Sequence, residues 1–247
     1  INNISFKPLD PFGIPIRNLN LKIHHGEIIG IGGVAGNGQE EFLSLLSGEL
    51  KPTSGSLQFD GIDITKLNVV ERRNKGLLTA PEERLGHAAV PVMTLTENCL
   101  ITAERRMNLS KKGFIDYKSS KKLSDEIIKK LDVRTSGSDA LARSLSGGNL
   151  QKFVIGRELI QNPKIFIVNQ PTWGVDAAAA SSIRQQILDL AKGGTAVIVI
   201  SQDLDELLEI SDVFCALVAG QLSSPENTSE LNPSRLGILI SNSIKQV

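Results

Sequence analysis

The residues with the most chemistry in their spacing are Gly33-Val34-Ala35-Gly36-Asn37-Gly38-Gln39-Glu40-Glu41. An apolar run, Glu27-Ile28-Ile29-Gly30-Ile31-Gly32, leads in, and a helical pattern, Glu41-Phe42-Leu43-Ser44-Leu45-Leu46, leads out. Strand, glycine-rich turn, helix is the setting in which backbone N–H groups and a helix N-terminus can cradle a phosphate. Gly33 and Gly38, with Gly36 between, fall where a G-x-x-x-x-G-K-[ST] loop has its glycines. Gln39 then stands where a lysine would meet the β- and γ-phosphates, and Glu40 where a hydroxyl would ligate magnesium. By itself this stretch reads either as a nucleotide loop or as a tight connection between a strand and a helix. A charge-assisted hydrogen bond is worth about 1.5–3 kcal/mol, so losing the lysine should weaken phosphate binding roughly ten- to hundredfold. Glu40 and Glu41 could themselves neutralise the positive helix terminus. Alternatively, Glu40 could offer an oxygen to a displaced metal.

The elements that must position this loop follow from periodicity. Residues 1–23 alternate enough to suggest strands, with a turn at Pro8-Leu9-Asp10-Pro11-Phe12-Gly13. The helix after the loop should end near Gly48, a C′ glycine. Ser54-Gly55-Ser56 reads as a turn into a short strand, Leu57-Gln58-Phe59-Asp60-Gly61. Residues 63–75 read as a charged helix, and Gly76-Leu77-Leu78-Thr79-Ala80 as a buried strand stopped by Pro81. From Glu82 to about Leu145, polar helical segments dominate (95–107 and 118–131), broken by Gly113 and Gly137. Apolar strands return at 164–168, at 195–200 after a helix over 177–191, and at 213–218, the last ending at Gly220. Strands without alternation, separated by helices, mean a parallel sheet covered on both faces, here interrupted by a helical insert.

Composition narrows the function classes. A 247-residue chain with 40% hydrophobic and 22% charged residues supports a sizeable core. Lys+Arg and Asp+Glu balance at 27 each, so no general field draws the chain to nucleic acid or an anionic lipid surface. No apolar run approaches the roughly 18–20 residues of a membrane span. Cys99 and Cys215 lack metal or redox spacing, and a reducing compartment is expected. His24, His25 and His87 have no acidic or cysteine partner at ligand spacing and read as surface groups, so no metal site is expected. Arg105-Arg106, Lys111-Lys112 and Lys121-Lys122 read as a solvated face. An opening Ile1 without a signal-peptide pattern suggests a segment of a longer polypeptide.

At Leu145-Ser146-Gly147-Gly148-Asn149-Leu150-Gln151-Lys152, the pattern L-S-G-G-x-x-Q-K opens a predicted helix. It lies about 110 residues after the loop and shortly before the 164–168 strand. In this context it resembles the signature motif of ABC-transporter ATPase domains, and the resemblance covers nearly the whole chain. It implies an α/β P-loop NTPase fold of the ABC-ATPase type: a mostly parallel core sheet, an antiparallel β subdomain and a helical insert. The division expected is a single domain over 1–247. Residues 1–81 and 151–220 would form the nucleotide-binding core, 82–150 the Q-loop, helical subdomain and signature, and 221–247 a C-terminal tail.

Read against the family's motifs, the magnesium-binding aspartate and the water-polarising glutamate fall at Asn169 and Gln170. The D-loop aspartate falls at Asp176, the histidine after the next strand at Gln202, and the Q-loop glutamine at Glu82. Trp173 stands where relatives commonly carry arginine, and Phe12 either stacks on an adenine or packs in the core. The combination of Pro81-Glu82-Glu83-Arg84, Asn37-Gly38-Gln39-Glu40-Glu41, Leu145-Ser146-Gly147-Gly148-Asn149 and Gln170-Pro171-Thr172-Trp173-Gly174-Val175-Asp176 looks most like the second ATPase half of tandem sugar- or nucleoside-type importers. Gly33, Gly36, Asn37, Gly38, Gln39, Glu40 and Glu41 would form the chain's own nucleotide loop, with ATP weak or absent there and no intact catalytic set. In this family a nucleotide is sandwiched between one domain's loop and another's signature. Leu145, Ser146, Gly147, Gly148, Asn149 and Gln151 would therefore complete a partner's site, where Mg2+ is expected. The implied partners are a second ATPase half, expected on the same chain, and transmembrane permease subunits at the cytoplasmic face of the membrane. Two other readings stand beside this one: an active ATP-hydrolysing ABC domain, or a soluble ABC protein without a transport role.

Overall fold

The computed structural model describes residues 1–242, and the last part of the expected tail, 243–247, lies outside the described residues. The chain opens with β1 (Asn2–Phe6) and β2 (Ile16–Leu19), and β3 (Ile28–Gly32) runs into the glycine loop. α1 (Gln39–Ser47) leaves that loop and ends at Gly48 in the left-handed conformation, as the sequence predicts. Then come β4 (Ser54–Ser56), β5 (Gln58–Phe59), β6 (Ile62–Asp63), α2 (Val69–Lys75) and β7 (Leu77–Ala80). The middle of the chain holds α3 (Leu95–Ala103), β8 (Ser110–Lys111), β9 (Phe114–Ile115), α4 (Tyr117–Lys130) and α5 (Gly147–Leu159). β10 (Ile165–Asn169), α6 (Ala177–Lys192), β11 (Ala196–Ser201), α7 (Leu204–Ile210) and β12 (Val213–Val218) follow. β13 (Gln221–Leu222), β14 (Glu226–Asn227) and α8 (Pro233–Asn242) close the described chain.

These elements fall into two compact units. The first comprises Ile1–Thr79, Lys164–Gln170 and the described residues from Ala191 onward, and the second Ala80–Pro163 with Pro171–Leu190. Residues 151–163 and 171–190 thus group with the helical insert, and the described residues after 220 group with the sheet. The main sheet has the order β13-β12-β3-β11-β10-β7, with β14 also against β12. β12, β3, β11 and β10 are mutually parallel, which is why their sequences are apolar without alternation. The register aligns Asn169 with Ile200 and Ile200 with Ile31, so strand ends converge on the level where the glycine loop begins. A separate antiparallel sheet, β2-β1-β4, packs its Ile4, Ile16 and Leu19 into the same core as Ile29, Phe42 and Leu45.

Three local expectations are corrected. Ser54-Gly55-Ser56 is a strand, not a turn, because it pairs antiparallel with β1. Gly55, at φ 88, lies so close to β1 that an added Cβ would stand 2.3 Å from the Asn3 carbonyl oxygen. The helix expected over 63–75 begins only at Val69: Ile62 and Asp63 pair with β5 across Asp60-Gly61, and Asn68 and Glu71 form a capping box. The helix expected over 95–107 ends at Ala103. Phe12 is 91% exposed, so of its two readings core packing is excluded.

Arg72 shows how the unit containing the loop is held. Its side chain is only 1% exposed, and burial pushes its pKa below the ordinary value. Nη1 donates to the Leu45 and Leu46 carbonyls in the last turn of α1, Nη2 to the Thr65 carbonyl and Nε to the Leu67 carbonyl. The guanidinium therefore satisfies helix-end acceptors that have no partner within the helix. Replacing it with an apolar chain of similar length strands these oxygens at about 1–3 kcal/mol each when fully buried. Arg72→Met is expected to destabilise the first unit by about 3 kcal/mol in urea unfolding, and a loss under about 1 kcal/mol would deny the guanidinium this role.

Candidate functional site

In the first unit, β3 delivers Gly33 against β12: a Cβ there would meet the Leu217 carbonyl oxygen at 2.4 Å, so only glycine lets the loop start where it does. Gly38, at φ 103, is the N-cap of α1, and Phe42 N–H donates to its carbonyl at 2.8 Å. Asn37 anchors the loop outward, its Oδ1 accepting Ala219 N–H at 2.8 Å and its carbonyl accepting Gly220 N–H at 2.9 Å. Inside the loop, Gln39 Oε1 accepts Asn37 N–H at 3.0 Å and Gln39 Nε2 donates to the Val34 carbonyl at 2.9 Å. Glu41 does not face a ligand position: its Oε1 accepts Ile14 N–H at 2.9 Å and ties α1 to the chain before β2. Glu40 is exposed.

Asn169 and Gln170, at the end of β10, are both buried. Asn169 is 1% exposed, and neither atom of its amide has a hydrogen-bond partner among the described residues. Gln170 adopts a left-handed backbone (φ 52), and its Oε1 receives long contacts from Ser201 Oγ (3.4 Å) and Gln202 N–H (3.5 Å). Ser201 Oγ also bonds Glu206 Oε2 at 2.9 Å, and the Gln202 side chain is exposed. The expected catalytic positions thus present amides where a general base would need a carboxylate.

The second unit holds the signature, Glu82 and Asp176. α5 starts at Gly147 with Ser146 as its N-cap, yet the serine side chain makes no capping bond. Instead Asn149 Nδ2 donates to Ser146 Oγ at 2.8 Å while Asn149 Oδ1 accepts Arg134 N–H at 2.8 Å. With an acceptor lone pair engaged, the exposed hydroxyl keeps its hydrogen free to donate outward. Gln151 is buried: Oε1 accepts Arg84 Nε at 2.8 Å and Nε2 donates to the Pro171 carbonyl at 3.0 Å. Arg84 also donates through Nη2 to the Trp173 carbonyl, and its Nη1 lies 2.8 Å from where a Gly147 Cβ would be. Burial lowers the Arg84 pKa, opposed by the negative charge of Glu82. Asp176 caps α6, accepting Ala179 N–H at 2.8 Å. Leu145 is half-buried just before the cap.

Arg84 lies in the Pro81-Glu82-Glu83-Arg84 stretch, but its role is not legible from that motif. Its partners lie 67 and 89 residues away, and no local pattern encodes them. His24 Nδ1 lies 3.0 Å from Glu27 and His25 Nε2 3.3 Å from Asp60, single acidic contacts that the sequence spacing does not show. Both histidine rings are solvent-exposed, in keeping with surface groups.

A family model described as ABC transporter matches residues 16–173, a stretch that runs from β2 through both glycine motifs to the turn after β10. The chain belongs to the ABC transporter family. It is 36% identical over 230 residues to the nucleoside import ATP-binding protein NupA of Lactococcus lactis, covering 92% of this chain and 45% of that protein. It is 32% identical over 231 residues to the guanosine import ATP-binding protein NupO of Bacillus subtilis (94% and 45%). It is 35% identical over 205 residues to the arabinose import ATP-binding protein AraG of Yersinia pestis (83% and 39%). The chain thus spans less than half the length of these relatives. Among solved structures, the dimeric ATP-binding cassette MJ0796 in a post-hydrolysis state bound to ADP and Pi superposes with a TM-score of 0.77. That match has 24% identity and covers 92% of this chain and 97% of the cassette, so it bears on the fold alone.

ABC ATP-binding domains generally take ATP with magnesium. At the end of β10 this chain offers the neutral amides of Asn169 and Gln170, weaker magnesium donors than carboxylates, and the buried Glu206 carboxylate near them is bonded to Ser201 Oγ.

Proposed function

We propose that this chain is the nucleotide-binding, energy-coupling domain of an ABC importer for simple sugars or nucleosides, and that it acts mainly through its signature. Its own loop holds ATP weakly or not at all. Ser146, Gly147 and Gly148 complete the magnesium-ATP site of a partner ATPase half carried on the same longer chain. Glu82 and the helical insert couple this event to permease subunits at the cytoplasmic face of the membrane. The import-protein relatives support the transport reading, and their greater length is in keeping with a second half beside this one.

The observation that carries the reading is a contrast between the two glycine motifs. At the signature, the Ser146 hydroxyl is oriented by Asn149, and Gly147 and Gly148 open a helix whose N-terminus favours an anion. Such donors stabilise charge on a transferring phosphoryl group without reorganising. At the loop, the lysine, the metal ligands and the water-polarising carboxylate are replaced by Gln39, Glu40, Asn169 and Gln170. Hydrolysis needs several of these at once.

The isolated chain is accordingly expected to release phosphate from magnesium ATP at background rate. Gln39→Lys is expected not to raise that rate, because the carboxylate missing at Gln170 acts as a unit with the rest. Steady-state phosphate release checks both, and turnover of about one per second, ordinary for an enzyme, would overturn the division of labour.

A further inference from the structure

We infer that Gln39 is a built-in plug of the phosphate loop, its side-chain oxygen taking the Asn37 N–H that an incoming phosphate would need while its nitrogen pins the amide to the Val34 carbonyl. This deepens the reading above and rests on it, since it supposes that the loop is a nucleotide loop by descent. The amide lies within the loop: Oε1 takes the Asn37 N–H and Nε2 gives to the Val34 carbonyl. Only one orientation of the amide satisfies both bonds, since one end must accept and the other must donate. Nε2 also sits 3.1 Å from the position of a Gly33 Cβ, so the amide packs over the first glycine of the loop. Asn37 Nδ2 donates to the same Val34 carbonyl at 2.7 Å. On its other side, Asn37 is fixed to Ala219 and Gly220.

Why this differs from a lysine is a matter of acceptors. An ammonium offers three donors and no acceptor, so a lysine folded onto Val34 would still leave the Asn37 N–H free for an anion. Glutamine brings an oxygen and spends that N–H internally. A nucleotide phosphate must therefore break the Gln39–Asn37 bond before it can use the loop, and it gains no positive charge in return. Gln39 thus sets the specificity of the site: it disfavours polyphosphate beyond the loss of the lysine charge alone.

Removing the plug should then strengthen anion binding, opposite to what a residual binding role for Gln39 requires. Each hydrogen bond of this kind shifts an equilibrium about two- to tenfold. Inorganic pyrophosphate, titrated calorimetrically without metal against the whole chain, is the probe. Gln39→Ala is expected to bind it roughly tenfold more tightly than the native chain. Gln39→Glu keeps an acceptor for Asn37 N–H and adds negative charge, so it should bind no better than native. Amide hydrogen exchange supplies a second readout that needs no ligand: the Asn37 N–H should be protected in the native chain and exchange faster in Gln39→Ala. Should that variant fail to fold, Gln39→Asn, one methylene too short to span both partners, is read the same way. Equal or weaker pyrophosphate binding in the folded alanine or asparagine variant, or an unprotected Asn37 N–H in the native chain, overturns the plug. Failure here with inactive signature variants removes the plug and leaves the proposed division of labour standing. Tighter binding in Gln39→Ala together with active signature variants supports the plug and removes that division.

Discussion

Gly148→Asp and Ser146→Arg should each abolish ATP turnover by the assembled transporter, with losses of at least about a hundredfold. Removing a single preorganised donor from an oxyanion-type site already costs on the order of 10²–10³ in rate. An aspartate at position 148 adds like-charge repulsion toward a γ-phosphate in a water-poor interface. The fold should tolerate it. A Cβ at Gly148 would meet Val175 at 3.6 Å, an ordinary contact, so lost activity would not come from a crushed backbone. Ser146→Ala is the milder companion: it keeps the α5 N-terminus, since Ser146 makes no side-chain cap, and deletes only the outward hydroxyl. Matching changes at Gln39 or Gln170 should cost less than about threefold if those positions no longer perform chemistry. The chain's single tryptophan, Trp173, is 63% exposed beside the turn that leads to Asp176, so its emission gives an independent signal when a partner closes over this unit. If the loop variants are inactive and the signature variants turn over normally, the roles of the two motifs have been assigned backwards.

What could be read from the sequence depended on whether the information was local. Gly48 ending α1, the apolar β10 and β11, and the Gly147-Gly148 helix start follow from residue type and period, and the structure has them in place. The strand at Ser54–Ser56 was hidden because its identity comes from pairing with β1, some fifty residues earlier, and its serines carry no apolar signal. Residues 63–68 were misread for a related reason. Their polar composition suits a helix, but a two-residue hairpin at Asp60-Gly61 and the Asn68 cap claim them. In the site, the substitutions at Gln39, Asn169 and Gln170 were legible as chemistry removed. That Gln39 supplies an acceptor inside its own loop was not, since it depends on a rotamer. Nor was the Arg84–Gln151 link to the Pro171 and Trp173 carbonyls, which exists only once distant segments meet.

The same α5 that opens with the signature carries, two turns further on, a buried ion pair whose loss should have the largest effect on stability. Arg157 Nε bonds Glu158 Oε1 at 2.8 Å, with both side chains almost wholly buried. Nη2 donates to the Ala88 carbonyl at 2.8 Å and Nη1 to the Asn98 carbonyl at 3.3 Å, so the guanidinium fastens α5 to the segment after Glu82 and to α3. Gln161 Nε2 bonds Glu158 Oε2 at 3.3 Å, extending the network. Breaking a buried pair from one side is costly because the remaining charge keeps its desolvation penalty, whereas replacing both charges with packed apolar groups is often nearly neutral. Arg157→Met is therefore expected to cost about 3–5 kcal/mol in the second unit, and Arg157→Met with Glu158→Leu substantially less. Urea unfolding followed by Trp173 emission reads that unit specifically, since the tryptophan belongs to it. A double variant as unstable as Arg157→Met alone would show that the hydrogen bonds to Ala88 and Asn98, rather than the stranded carboxylate, dominate the cost. The signature would then depend on Arg157 as a backbone tie, and Arg157→Lys, with an ammonium able to reach fewer carbonyls, should fall between native and Arg157→Met.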